Sequence, residues 1–219
     1  MKIEDFQDLV SALPYLNHSF TIKSKNWQCD SQTSSIESIF EGHSITTINR
    51  FDLINANHSL PEFVLKTLMW GYPTMGRGSN IKTLLRDQNL EKLIKVLKQY
   101  QDQPVTIEQI QHDLKEIDGL GMSTMTKFLS FLNVRINGNE TVILDQRIMD
   151  VINFGTFEEL EKLKGIRHDN AINKYVEYLE TINKLALNLK AVPAQIEMFI
   201  FIFGKSLSEV RGENCYDYD

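Results

Sequence analysis

Residues 114–128 read LKEIDGLGMSTMTKF. Leu114 and Ile117 stand three apart, the spacing of one helix face, and Gly119-Leu120-Gly121 follows at once. A second helical pattern then opens at Met122-Ser123-Thr124 and continues through Met125 and Phe128. Two glycines around one apolar residue let the backbone reverse tightly and adopt positive φ where a side chain would clash. Such a reversal leaves the first N–H groups of the second helix without intrahelical partners, at the positive end of the helix dipole, where a phosphate binds well. The Ser123 and Thr124 hydroxyls stand where they can donate to the same phosphate. The identical spacing also serves as a plain corner that packs two helices.

Further on, Val142-Ile143-Leu144-Asp145-Gln146-Arg147-Ile148 sets an aspartate between a short apolar run and a helical pattern. Asp at that position is first of all an N-cap, accepting a hydrogen bond from the first turn. A cap and a catalytic carboxylate are compatible, because capping holds the carboxylate in one orientation.

At 219 residues, with 42% apolar and 24% charged side chains, the chain has room for one large domain or for two small lobes sharing a core. The net charge of −6 argues against a simple basic nucleic-acid binder. The charge is uneven, however: residues 62–98 hold seven bases and three acids, whereas residues 206–219 hold four acids and one base. An acidic chain binds DNA when its positive charge gathers on one face. Cys29 and Cys215 form no metal-type cluster and are expected as free thiols, with no metal or cofactor. The first ten residues carry acids, unlike a secretory signal, and the longest apolar run, 198–203, falls far short of the about 20 residues a membrane span needs. A soluble, cytoplasmic protein is expected.

The periodicity predicts an almost all-α chain. Residues 3–16 form a short amphipathic helix with Phe6, Leu9, Val10 and Leu13 on one face, and residues 17–59 give no clear pattern beyond weak alternation at Phe20-Thr21-Ile22. Pro61 opens a helix carrying Phe63, Val64, Leu68 and Met69 as far as Trp70. A loop follows over residues 71–80, with Arg77 between two glycines as either a phosphate contact or a plain surface residue. Helices are expected over 81–86 and 89–100, and Thr106 with Gln109 has the form of a capping box for the helix leading into the glycine turn. Residues 141–144 can pass for a strand, residues 157–163 read as helix, and two long helices cover 170–189 and 193–203, with Phe199, Phe201 and Phe203 in the core. Residues 1–60 are expected to pack on a core formed by residues 61–219.

The full register (Leu114, Ile117, Gly119, Leu120, Gly121, Ser123, Thr124, Phe128) resembles the helix-hairpin-helix element of nucleic-acid-binding proteins. Met125 stands where that pattern has a small residue, which implies a wider spacing of the two helices. The order hairpin, helix, short connector, Asp145, helix resembles the helix-hairpin-helix DNA glycosylase superfamily, although Asp145-Gln146-Arg147 replaces its usual Asp-Thr-His. The Trp70-Gly71-Tyr72-Pro73 loop and the helix over 195–204 look most like a bacterial 8-oxoguanine glycosylase-like group, and the resemblance covers residues 63–204. It implies an all-α, two-lobed fold with a cleft between the lobes.

The resemblance also implies base-excision repair on double-stranded DNA by a monomer. Superfamily members with a Lys in the first turn of the second hairpin helix use it as an amine nucleophile, form a Schiff base and cut the strand; others activate water. The matching position here is Ser123, which implies the water-using mode. Asp145 is then the catalytic carboxylate, with Ser123 beside it. Gly119, Leu120, Gly121, Ser123, Thr124 and Arg77 are expected to hold DNA, and Trp70, Tyr72 and Phe128 to line a base pocket. Lys127, one turn after Ser123, is either a catalytic amine or, more in keeping with a long basic chain, a solvated or phosphate-facing side chain. A non-catalytic DNA-binding module and a helical protein-interaction domain stay open as alternatives.

Overall fold

The computed structural model describes residues 1–209 apart from Ala56, Asn57 and Arg77, with Asp102 and Glu209 described in backbone only. The Arg77 expectation, Cys215 and the acidic stretch from 210 onward lie outside the described residues. The chain begins with a 3-10 turn, Ile3–Phe6, and α1 (Gln7–Ala12), then β1 (Ser19–Lys23), α2 (Thr33–Phe40), β2 (Ile45–Asn49) and α3 (Arg50–Asn55). Four helices lead to the glycine turn: α4 (Leu60–Gly71), α5 (Asn80–Leu84), α6 (Asp87–Asp102) and α7 (Ile107–Glu116). Beyond it come α8 (Met122–Phe131), the two-residue strands β3 (Arg135–Ile136) and β4 (Asn139–Glu140), and α9 (Gln146–Phe154). A 3-10 segment (Glu158–Leu163), α10 (Ala171–Leu189) and α11 (Pro193–Glu209) complete the described chain.

The helix starts follow from local chemistry. Ser59 Oγ accepts from the Glu62 N–H at the head of α4, with Pro61 in its first turn. Both halves of the Thr106–Gln109 capping box are formed, at 3.3 and 2.9 Å. Several expectations need correction. The single helix over 3–16 is broken into a 3-10 turn and a six-residue helix, and Leu9 is 42% exposed rather than on the buried face. The weak alternation at 20–22 belongs to a real strand, paired antiparallel with β2 in the register Phe20 to Ile48 and Ile22 to Thr46. Residues 158–163 are 3-10 rather than α-helix. Residues 141–144 are extended but unpaired, for reasons that matter to the site.

The architecture is helical and two-lobed, as expected, with two small sheets added. Helices α4–α8 form the lobe carrying the glycine turn, with β1 and β2 packed on α4, while α9–α11 pack on one another and on α1. One continuous core joins them: Ile3, Val10, Ile22 and Trp27 from the N-terminal region share it with Phe63, Phe128, Tyr175 and Ile196. Among the described residues no single helix is long and apolar enough to cross a membrane.

Candidate active site and nucleic-acid interface

The two glycines of the turn do different work. Gly119 has φ +84°, and a Cβ there would lie 2.4 Å from the Asn80 carbonyl oxygen and 2.9 Å from the Leu84 nitrogen. The turn thus packs backbone to backbone on α5, and only glycine fits. Gly121 departs from the expectation of positive φ: it is extended at φ −103°, caps α8 without a side chain, and has open space where its Cβ would stand. Among the described residues, nothing lies within 4 Å of that Cβ position at the head of α8. Gly119→Ala should therefore cost about 3 kcal/mol, combining left-handed strain with a backbone clash. Gly121→Ala should cost under about 1 kcal/mol, the scale of a cap change. Urea unfolding of the two variants checks the contrast.

Around this helix start lies a hollow of about 350 Å³, lined by Gly119, Gly121, Ser123 and Thr124, by Tyr72 and Asn80, and by His168 from the other lobe. Leu120 is buried and offers the hollow only its backbone. Ser123 is half-buried, whereas Thr124 turns inward, its Oγ1 2.7 Å from the Tyr72 hydroxyl. Of the three aromatics expected to line a base pocket, Tyr72 alone reaches this hollow. Trp70 is core: its Nε1 donates to the His18 carbonyl at 3.1 Å and its rings meet Phe20 and Phe131 edge-on, both at 5.1 Å. Phe128 is fully buried against Phe63. Neither ring has a free face for a base, because the helices that carry them are packed on all sides.

Lys127 is not a solvated side chain. It is 3% exposed, and its Nζ donates to the Ser123 carbonyl and Oγ, each at 3.1 Å. The Tyr72 ring lies 5.2 Å from the ammonium, and the absent side chain of Gly71 makes room for its methylenes, 2.7–2.8 Å from where a Cβ would stand. The four-residue spacing that suggested contact with Ser123 was sound; what it cannot report is that α4 and its trailing Gly71-Tyr72 cover that face.

Asp145 is half-buried and caps α9, its Oδ1 accepting from the Ile148 N–H at 3.2 Å. The extended residues before it are held by side chains instead of a strand partner, since every buried backbone group needs one. The buried Tyr175 and Tyr178 hydroxyls donate to the carbonyls of Val142 (2.8 Å) and Ile143 (2.9 Å). Thr126 Oγ1 accepts from the Leu144 N–H at 3.1 Å and itself donates to the Ser123 carbonyl at 3.2 Å. The residue preceding Asp145 is therefore tied through Thr126 to the residue at the open helix start.

A buried ion pair that sequence reading missed borders the same region. Arg50, the first residue of α3, meets Glu197 of α11 through two bonds of 2.7 and 3.0 Å, with both side chains about 1% exposed. Burial pushes the Glu197 carboxyl up and Arg50 opposes that; Asp145 raises it further and Lys127 lowers it, so Glu197 feels both candidate catalytic charges. The signal was present, because Glu197 is the lone charge in the apolar run 191–204. A lone charge there demands a buried partner. Beside it, burial and then Arg50 lower the His18 pKa to about 4, leaving a neutral imidazole among Phe20, Trp70 and Phe201. Phe201 is partly exposed and lies under Arg147 at 4.8 Å, so Phe199 is the member of the Phe199–Phe203 trio that is fully core.

The model of the family described as "Putative 8-oxoguanine DNA glycosylase OGG-like protein" matches residues 14–201. The chain belongs to this OGG-like family. No curated protein and no solved structure gave a match. The OGG-like match starts well before the region where motifs are recognisable, so it takes in β1, β2 and Arg50 as part of the unit. Membership carries DNA-glycosylase function in general terms, and with it DNA as the partner. In this OGG-like chain α8 starts at the hairpin turn, carries Lys127 and, through Thr126, holds the segment leading to Asp145.

Proposed function

We propose that this chain hydrolyses the N-glycosidic bond of a damaged base in duplex DNA, an oxidised purine such as 8-oxoguanine, and acts as a cytoplasmic monomer. The observation that carries this reading is the Ser123–Thr126–Leu144 hydrogen-bond chain, which ties a phosphate-ready helix start to the backbone that presents Asp145. The Gly119–Ser123 turn holds the DNA backbone while the target nucleotide leaves the stack. As the bond from sugar to base breaks, the base takes the bonding pair and positive charge develops on the sugar. The Asp145 carboxylate stabilises that charge and accepts a proton from the water whose oxygen bonds to the anomeric carbon. Ser123 has no amine and forms no Schiff base.

One observation favours a second mode. Lys127 places a buried Nζ 3.1 Å from Ser123 Oγ; in that mode the nitrogen, having given up a proton, bonds to the anomeric carbon as the base leaves with the bonding pair, and the imine formed lets the 3′ phosphate leave by elimination. Single-turnover assays on duplexes containing 8-oxoguanine, with borohydride added in parallel, separate the readings. Hydrolysis predicts free base and no trapped protein–DNA complex. A trapped complex lost in Lys127→Ala replaces water by the amine. Tight duplex binding with no base released from any oxidised lesion leaves a DNA-binding module without chemistry.

A further inference from the structure

We propose that His168 is a second DNA-backbone contact, held beside the hairpin by a loop fastened for that purpose; the proposal rests on the reading that the Gly119–Ser123 turn holds a DNA phosphate. The loop joins the 3-10 segment to α10. It turns at Gly165, where φ is +79°, and is anchored by Ile166, which is fully buried. Two asparagines clamp it. Asn153 accepts from the Gly165 N–H at 2.8 Å and donates to the Ile166 carbonyl at 2.7 Å. Asn170 accepts from the Arg167 N–H at 2.7 Å and donates to the Gly165 carbonyl at 2.9 Å. Lys174 adds a bond to the Lys164 carbonyl at 3.1 Å.

A short loop with this many side-chain clamps presents its tip in a defined place, and the tip is His168. The residue is exposed, yet it lines the same hollow as Gly119, Gly121 and Ser123. Among the described residues nothing hydrogen-bonds to its ring. An N–H of either tautomer is therefore free to donate to a phosphate oxygen. Its neighbours Arg167 and Asp169 pair with each other at 3.2 and 3.3 Å, so they leave little net charge beside it. The hairpin reaches the hollow from one lobe and His168 from the other. A backbone lying in the hollow is gripped from both sides, which fixes its course as well as its affinity.

The test is equilibrium binding of a fluorescein-labelled duplex by the full chain, with His168→Ala and His168→Gln compared with wild type and single-turnover base release measured at saturating protein. His168→Ala should bind about tenfold more weakly, the scale of one hydrogen bond to a charged group. Its saturated rate should fall by a smaller factor than its affinity, and His168→Gln, which keeps an N–H donor, should recover most of the affinity. Wild-type affinity in His168→Ala overturns the proposal alone, as does a Gln variant as weak as Ala. Failure of the wild type to bind duplex DNA removes the hairpin reading and this one with it.

Discussion

Asp145→Asn is expected to lower the single-turnover rate of base release by about a thousandfold or more, with duplex affinity within about twofold of wild type. The substitution separates the capping role of this side chain from its proposed catalytic role. Asn caps helices as well as Asp does, so the bond now made to the Ile148 N–H at 3.2 Å is kept and α9 stays in place. What is lost, in the proposed mechanism, is the negative charge that stabilises the sugar cation and the ability to take a proton from water. Asp145→Ala is the poorer variant, because it adds a cap loss of about 1 kcal/mol to the chemical defect. Near wild-type base release by Asp145→Asn would reduce Asp145 to a cap and pass the chemistry to another group.

The second large effect is on stability. Glu197→Leu leaves the Arg50 guanidinium in the core with no counter-charge, and Arg50→Met leaves the Glu197 carboxylate in the same condition. Each should cost about 3–5 kcal/mol in urea unfolding. The double variant should recover most of that loss, because two apolar side chains of similar volume replace two buried charges. The pair joins positions 147 apart in sequence, linking the start of α3 to α11. Single variants that lose less than about 1 kcal/mol would mean that water or relaxation relieves the stranded charge, and that the pair does not hold the two regions together.

The ion pair also marks where sequence reading stopped. Glu197 is the lone charge in the apolar run 191–204, but nothing local points to Arg50, which is one of many bases and lies in a stretch with little periodicity. Lys127 is a similar case. Its four-residue offset from Ser123 is a helix property and was legible, while its burial depends on Gly71 and Tyr72, more than fifty residues earlier. Trp70 and Phe128 carry no local mark of their burial, since an apolar ring looks the same in sequence whether it faces a pocket or a core.

By itself the sequence determined the features whose causes lie within a few residues. These are the capping box at Thr106 and Gln109, the cap at Asp145, the turn at Gly119 and the order of hairpin and aspartate. Caps, turns and helical stripes are short-range, so their partners are written next to them. Only the tertiary structure decided that Gly119 must be glycine because α5 packs against its backbone, and that Gly121 is free. It alone decided that Thr126 ties Ser123 to Leu144, and that the hairpin, Tyr72 and His168 share one hollow. Those pairings are between residues far apart in the chain, and they exist only once a common core has brought the two lobes together.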